Sequence, residues 1–242
     1  HSLRGSVYRQ IKKAHRQKEL KPDRLPFGIV AIDGKSTAIE AWNKGVAQKQ
    51  THSSGMKACG VVRTMTCSLL SSSVPVCIDV SPIPPDTNED GHFAEVVDNL
   101  LRQYGRSDLF RLVVADAGSC SLRNATHARE RNLHYLFRLN HTQPTLLAEA
   151  EGLLGSLPES EAVHVEDEWV NGGTERRVLW VSTEMAGYLD WSHLRVVLRV
   201  QRDRFDAAGN MEWRHTRYYI SSLRYDALSP KQWLAVVRRY WG

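Results

Sequence analysis

FGIVAID, residues 27–33, is a short apolar run that ends in a carboxylate, and LFRLVVAD, residues 109–116, repeats that pattern. Apolar runs of this length are typical of strands that are buried on both faces of a sheet. We predict a mixed sheet in which these two strands are neighbours. Their carboxyl ends would then place Asp33 and Asp116 side by side at one edge, where open α/β sheets bind ligands.

The segments around these two strands predict an α/β fold with flanking helices. Residues 59–70 and 74–80 are rich in β-branched residues and predict a hairpin that continues the sheet. After Thr87, apolar residues recur at helical spacing as far as Gly105, which predicts a helix. The remaining elements expected in this half are helices at 125–131 and 144–155 and a strand at 133–139.

The chain changes character between residues 158 and 224, where short alternating runs are separated by turn signals such as NGG and AAGN. This pattern predicts an antiparallel β-rich region. Ser229-Pro230 then offers an N-cap followed by proline, which predicts a helix that continues to the last residue. Residues 1–24, in contrast, are basic and mostly polar, and we expect a linker or tail there.

Composition excludes several classes of protein. Hydrophobic residues make up 42% of the chain and charged residues 24%, as in ordinary globular proteins, so a disordered or collagen-like chain is excluded. No segment has the length and hydrophobicity of a membrane span, and nothing at the N-terminus resembles a signal peptide. The four cysteines include no CxxC pair, which favours reduced thiols in a cytosolic protein.

Charge is distributed unevenly along the chain, whose net charge is +5. Residues 1–50 carry a net +7, residues 51–170 a net −7 and residues 171–242 a net +5. Basic ends suit a polyanionic partner such as nucleic acid, and an acidic middle suits a metal ion. A solvated charged surface would explain the same distribution, so charge alone decides nothing.

Asp33 and Asp116 are the main candidates for chemistry. Two adjacent carboxylates repel each other, and a divalent cation relieves that repulsion. Carboxylate ligands suit Mg²⁺ or Mn²⁺, and two such ions can activate a nucleophile and stabilise the leaving oxygen in phosphoryl transfer. Taken singly, an aspartate after a strand is more often a turn or capping residue. The ten histidines show no zinc-binding spacing such as HExxH.

Six short motifs, in order along the chain, are IDGK at 32–35, TNE at 87–89, VADA at 114–117, YLFRLNHTQPTLL at 135–147, YYISSL at 218–223 and RRYWG at 238–242. Together they resemble the DDE transposases of bacterial insertion sequences, in the branch with a β-rich insertion in an RNase H-like core. The resemblance implies an RNase H-like mixed sheet with flanking helices. It also implies a division into a core at 25–157, the antiparallel β-rich insertion at 158–224 and the start of the last core helix at 225–242.

The resemblance implies an enzyme of DNA transposition, which cuts the ends of its element and joins them to target DNA. The family uses two aspartates and a glutamate to hold two ions of Mg²⁺ or Mn²⁺, and Asp33 and Asp116 match the two aspartates. The implied partner is double-stranded DNA, both terminal repeats and target, with a dimer assembled on it. The implied location is the bacterial cytoplasm, in association with the nucleoid.

The third acid of the family comes two residues after the position of Gly242, the last residue of this chain. We therefore expect a fragment, cut at both ends, that cleaves DNA poorly because its third acidic ligand is missing. The alternative is an inactive or decayed transposase fragment that only binds DNA. An RNase H-like nuclease or resolvase fits the β-rich region and the YYISSL motif less well.

Four basic residues are candidate DNA contacts: Lys35, Arg176, Arg177 and Arg238. Lys35 follows the first acid, and the planar fork of arginine suits phosphate. The alternatives are a surface lysine, arginines exposed on alternating strands and a solvated helix face. Glu89 belongs to the TNE motif but equally suits a helix cap. If the third ligand lies within this chain, Glu89 is the next acid to test.

Overall fold

The structure of the chain, a computed structural model, describes residues 3–39, 48–50 and 59–241. The chain divides into two compact units, His1–Ser119 with Arg131–Leu133 and Cys120–Glu130 with His134–Gly242. Both units combine β-sheet with helices, so the predicted α/β class is confirmed. Within the described ranges, no helix has the length and apolar character that crossing a membrane requires.

The first unit contains a mixed sheet with flanking helices. Its elements are α1 (Leu3–Arg16), β1 (Ile29–Ile39), β2 (Gln48–Gln50), β3 (Cys59–Leu69), β4 (Val76–Pro82), α2 (Glu89–Tyr104) and β5 (Leu112–Ala115). Strand β3 pairs antiparallel with β1, β2 and β4, whereas β1 pairs parallel with β5. The predicted hairpin and the RNase H-like mixed sheet are therefore confirmed.

The parallel pair β1–β5 lies in the core of this unit. Its register extends from Ile29 opposite Leu112 to Ile32 opposite Ala115, and all four of these residues are buried. Parallel strands are covered on both faces, which explains why both runs are apolar without alternation. One stripe of α2, at helical spacing, is also buried: Phe93, Val96, Val97 and Leu100.

The basic N-terminal stretch, predicted as a linker or tail, begins with the docked helix α1. Tyr8 and Ile11 are buried, whereas Val7 is 37% exposed. Arg4 donates two hydrogen bonds, of 2.7 and 2.8 Å, to the carboxylate of Asp79 on β4, and the Tyr8 hydroxyl donates a third of 2.9 Å. A buried carboxylate requires such partners, and α1 supplies them.

The second unit contains an antiparallel sheet with the strand order β6-β10-β9-β8-β7. Its elements are α3 (Leu122–Glu130), β6 (His134–Arg138), α4 (Pro144–Leu154), β7 (His164–Val170), β8 (Gly173–Ser182), β9 (Val196–Phe205), β10 (Met211–Ser221) and α5 (Pro230–Trp241). The antiparallel β-rich pattern predicted for residues 158–224 is thus confirmed. Helix α5 begins as predicted, because the Ser229 hydroxyl accepts from the Gln232 N–H and the Gln232 side chain accepts from the Ser229 N–H.

The two compact units divide the chain near residue 119, whereas the predicted insertion begins at residue 158. The physical reason is the pairing of β10 with β6, which sets Tyr219 opposite Arg138 and Ser221 opposite Leu136. This pairing joins the β-rich stretch to an earlier strand in one sheet. The proposed limits of the core, insertion and last helix stay predictions.

Candidate active site

Asp33 and Asp116 follow directly on the last paired residues of two neighbouring strands. The parallel register of β1 and β5 ends with Ile32 opposite Ala115, so the next residue of each strand is one of the two acids. Neighbouring strands lie about 4.8 Å apart, which places the two aspartates at one edge of the pair. Both are half-buried. Strand β1 continues to Ile39 beside β3, so Asp33 lies within a strand, contrary to the prediction that it ends one.

Glu89, the first residue of α2, brings a third carboxylate to this edge. A Cβ atom added to Gly34 would lie 2.0 Å from both Cδ and Oε1 of Glu89. A Cβ atom added to Gly118 would lie 2.9 Å from Oε2 of the same side chain. Gly34 follows Asp33 in the chain and Gly118 is two residues beyond Asp116. The Glu89 carboxylate therefore lies against the backbone that follows both acids.

The sequence left open whether Glu89 caps the helix, and the structure decides against it. Asn88 is the N-cap of α2, and its side-chain oxygen accepts a 2.8 Å hydrogen bond from the Gly91 N–H. Glu89 occupies the position after the cap and extends toward Gly34 instead. The TNE motif singles out this residue in the sequence, but the motif alone does not indicate which residues lie near the glutamate in the fold.

The charges at this edge are mutually unfavourable. Burial raises the pKa of the Glu89 carboxyl above its ordinary value, and the negative charges of Asp33 and Asp116 raise it further. Arg63 opposes this rise through its positive charge. The direction shows that Glu89 is in the electrostatic field of both aspartates. A cation bound among the three groups would reverse the balance.

The donor set fits a hard divalent cation. Asp33, Asp116 and Glu89 offer carboxylate oxygens, which are the ligands that Mg²⁺ and Mn²⁺ prefer. Gly34 and Gly118 keep the space beside the carboxylates clear of side chains. Across residues 3–39, 48–50 and 59–241, however, no three His, Cys, Asp or Glu side chains are arranged closely enough to hold an ion. Side-chain rotation would have to bring the carboxylates together.

Lys35 and Arg176, two of the predicted DNA contacts, lie in different surroundings. Lys35 is exposed on β1, two residues beyond Asp33. The Arg176 side chain is 31% exposed and forms ion pairs with Glu159 and Asp167, the latter at 2.9 Å. DNA would have to compete with these carboxylates for Arg176. The DNA-binding role of both residues stays a prediction.

Arg177 and Arg238, the other two predicted contacts, belong to one cluster of ion pairs. The Arg177 side chain is 6% exposed and contacts Glu175 at 2.5 Å and Glu168 at 3.2 Å. Arg238 on α5 pairs with the same Glu168 and with Glu166 at 3.2 Å. The buried Arg177 has a clear structural role. Its contact with DNA, like that of Arg238, stays a prediction.

Three solved structures are similar to the chain at low identity. The piggyBac transposase synaptic complex with hairpin DNA has 11% identity, covers 96% of this chain and 41% of its own, and gives a TM-score of 0.41. The Drosophila P element transposase strand transfer complex has 14% identity, with coverages of 51% and 29% and a TM-score of 0.26. The NurA nuclease from Sulfolobus solfataricus has 10% identity, with coverages of 96% and 82% and a TM-score of 0.29.

The chain spans less than half the length of the piggyBac and P element transposases. No curated protein matches the sequence. A family model described as the transposase DDE domain matches residues 25–227, which is most of the chain and includes Asp33, Glu89 and Asp116. The chain therefore belongs to the family of transposase DDE domains.

Proposed function

We propose that this chain is the catalytic domain of a DNA transposase that cuts DNA strands and joins them with the help of divalent metal ions. The observation that carries the proposal is the register of β1 and β5, which sets Asp33 and Asp116 next to each other. Both residues lie inside the region matched by the family. Paired carboxylates on adjacent strands suit the divalent ions that assist phosphoryl transfer.

In the proposed reaction the protein provides ligands and position. Asp33 and Asp116 would hold Mg²⁺ or Mn²⁺ through their carboxylate oxygens, with two ions in the complete site. Bound there, the ions supply Lewis acidity, which activates a water or 3′-hydroxyl and stabilises the leaving oxygen. The buried residues of β1 and β5 fix the backbone at the two aspartates, whose side chains would rotate to bring their carboxylates together on an ion.

The substrate we propose is double-stranded DNA, comprising the terminal repeats of an element and its target. Arginine and lysine side chains would hold its phosphates, and a dimer would bring two ends together. The two similar transposase structures are a synaptic complex with hairpin DNA and a strand transfer complex. Localisation in the bacterial cytoplasm, beside the nucleoid, belongs to the same proposal.

A strand-cleavage assay tests this function directly. The chain is incubated with labelled duplex DNA and Mn²⁺ or Mg²⁺, and we expect slow nicking that does not occur when EDTA removes the ion, because the carboxylates alone cannot stabilise the leaving oxygen. Nicking that persists in EDTA would contradict the proposal. Binding without nicking at any ion concentration would instead support the alternative of an inactive, DNA-binding fragment, which stays a prediction until that assay.

A further inference from the structure

Helix formation alone does not explain the position of Glu89, which lies beside the two aspartates of the proposed function. We propose that Glu89 is a third carboxylate ligand of the divalent cation that Asp33 and Asp116 hold. The inference rests on the proposed metal-dependent function. It adds a ligand from α2 to the two ligands that the strands provide.

The geometry supports this assignment. Asn88 caps the first turn of α2, and Glu89 follows it directly. Its carboxylate lies on Gly34 and beside Gly118, the glycines that follow Asp33 and Asp116. Any residue other than glycine at position 34 would place its Cβ within 2.0 Å of that carboxylate. The two glycines therefore make room for Glu89.

A purely structural role would predict another position. An acidic residue in the first turn of a helix stabilises the helix through its dipole, and that role needs no contact with other carboxylates. Glu89 is half-buried instead, with its carboxylate against the backbone that follows Asp33 and Asp116. This arrangement costs stability unless a cation occupies the edge. Asp90, in the same turn, already provides the helix with an acidic residue.

Side-chain rotation would bring Glu89 to the ion. The three carboxylates do not stand close enough to hold an ion as they are. A glutamate has three rotatable side-chain bonds, and its carboxylate can move by a few ångströms while its Cα stays fixed. Glu89 is therefore suited to closing on an ion from the helix, while the aspartates approach it from the strands.

Metal binding, measured without any reaction, tests the assignment. Electron paramagnetic resonance of Mn²⁺ gives the affinity of the folded chain for the ion. We expect Glu89→Gln to weaken Mn²⁺ binding by at least about tenfold, the size of effect that loss of a supporting carboxylate produces. The matched control is Asp90→Asn, which removes the same charge from the same helical turn and should leave the affinity unchanged. Equal affinities for both variants would overturn the inference.

A second variant tests the same contact without altering the carboxylate. Gly34→Ala introduces a Cβ 2.0 Å from the Glu89 carboxyl group, which must then move aside. Because the displaced atoms are the end of a flexible side chain, the fold should persist, as it should in Gly152→Ala, where nothing lies within 4 Å of the added Cβ. We expect Gly34→Ala to weaken Mn²⁺ binding in the wild-type chain but not in the Glu89→Gln background. Additive losses would show that Glu89 is not the cause.

The two proposals fail in different ways. If Asp33→Asn abolishes Mn²⁺ binding and Glu89→Gln does not change it, the proposed function stands and the Glu89 assignment is wrong. If neither Asp33→Asn nor Asp116→Asn changes Mn²⁺ binding, the proposed metal site itself is wrong.

A groove between α1 and α2 supports a separate inference about the partner. Among the residues that the structure describes, it is lined by five cationic or ionisable side chains and by no carboxylate: Lys12, His15, Arg16, Arg102 and Arg106. The buried Nδ1 atom of His15 has no hydrogen-bond partner in the described part of the chain, while its Nε2 lies 2.8 Å from the Ser107 carbonyl oxygen. This set, which we call the basic groove, lies entirely in the first unit.

We infer that the basic groove binds the phosphate backbone of duplex DNA. Lys12, His15 and Arg16 lie on one face of α1, because they are spaced by three and four residues. Arg16 and Arg106 have no ion-pair partner among the residues that the structure describes, unlike Arg176 and Arg238. Unpaired arginines can form bidentate contacts with phosphate without first breaking an ion pair. The inference names a contact surface for the DNA of the proposed function.

Salt-dependent DNA binding tests the basic groove. Affinity for a random-sequence duplex is measured between low and physiological salt. We expect Arg16→Ala with Arg106→Ala to weaken binding and to reduce the salt slope by about two, one for each lost phosphate contact. The control, Arg224→Ala with Lys231→Ala, removes the same charge from exposed sites of the second unit. Equal slopes for the two double variants would overturn this inference, whereas a wild-type chain that binds no DNA would contradict the proposed function.

Discussion

Asp116→Asn is expected to lower the rate of DNA strand cleavage by at least about a thousandfold. Where catalytic residues act as a unit, the loss of one removes most of the rate enhancement. Asparagine has nearly the shape of aspartate but offers the ion a neutral oxygen. Asp116 is half-buried at the end of β5, so the substitution removes a charge without opening a cavity. Cleavage of labelled duplex in Mn²⁺ measures the effect, and urea titration checks that the fold is retained.

The control for this prediction is a variant of Asp108. Asp108 precedes β5 and forms an exposed ion pair with Arg111 at 2.8 Å. The Arg111 hydrogen bond lowers the pKa of the Asp108 carboxyl, so Asp108 is an ionised surface group and not part of the site. Asp108→Asn should leave cleavage unchanged. Similar rates for the two variants, both close to wild type, would place the reacting edge elsewhere.

The buried strands were predictable because hydrophobicity and register together determine them. The runs that contain Ile32 and Ala115 are apolar enough to be covered on both faces, and parallel pairing then aligns the acids that follow. The sequence could not show that β1 continues beyond Asp33. That extension pairs with β3, and its residues 35–38 are exposed, so hydrophobicity gives no signal for it.

The position of Glu89 could not be predicted in the same way. A glutamate in the first turn of a helix is common, and the sequence does not indicate that the Glu89 side chain lies close to Gly34 and Gly118. Only the packing of α2 on the sheet brings the three carboxylates to one edge. The same holds for α1, because its buried partner Asp79 lies on β4, 75 residues from Arg4.

Strand β9 shows a further limit of pattern arguments. Its alternation correctly predicted a strand, but the polar residues Arg199, Gln201 and Asp203 are buried. They form a ladder in which Arg199 donates to Gln201 at 3.0 Å and Gln201 donates to Asp203 at 2.9 Å. Arg214 completes it with two hydrogen bonds of 2.8 Å to Asp203. Buried polar groups are stable when they satisfy one another, and no single-residue property reveals that they do.

Two adjacent arginines of β8 should differ sharply in their effect on stability. Arg177→Ala is expected to lower the free energy of unfolding by about 3 kcal/mol, because it breaks a buried ion pair and leaves the buried Glu175 with Arg202 as its remaining ion-pair partner. Arg176→Ala should cost less than about 1 kcal/mol, because its ion pairs with Glu159 and Asp167 are open to solvent. Urea titration followed by tryptophan fluorescence measures both.

Arg177→Met separates charge from packing, since methionine keeps much of the apolar stem of arginine but none of its donors. We expect this variant to remain destabilised, because Glu175 loses its 2.5 Å partner in either case. Equal, small losses for Arg176→Ala and Arg177→Ala would contradict a structural role for Arg177. If the difference is found, weaker DNA binding by an Arg177 variant cannot be separated from loss of the fold. Arg176→Ala is then the variant that isolates a contact between β8 and DNA.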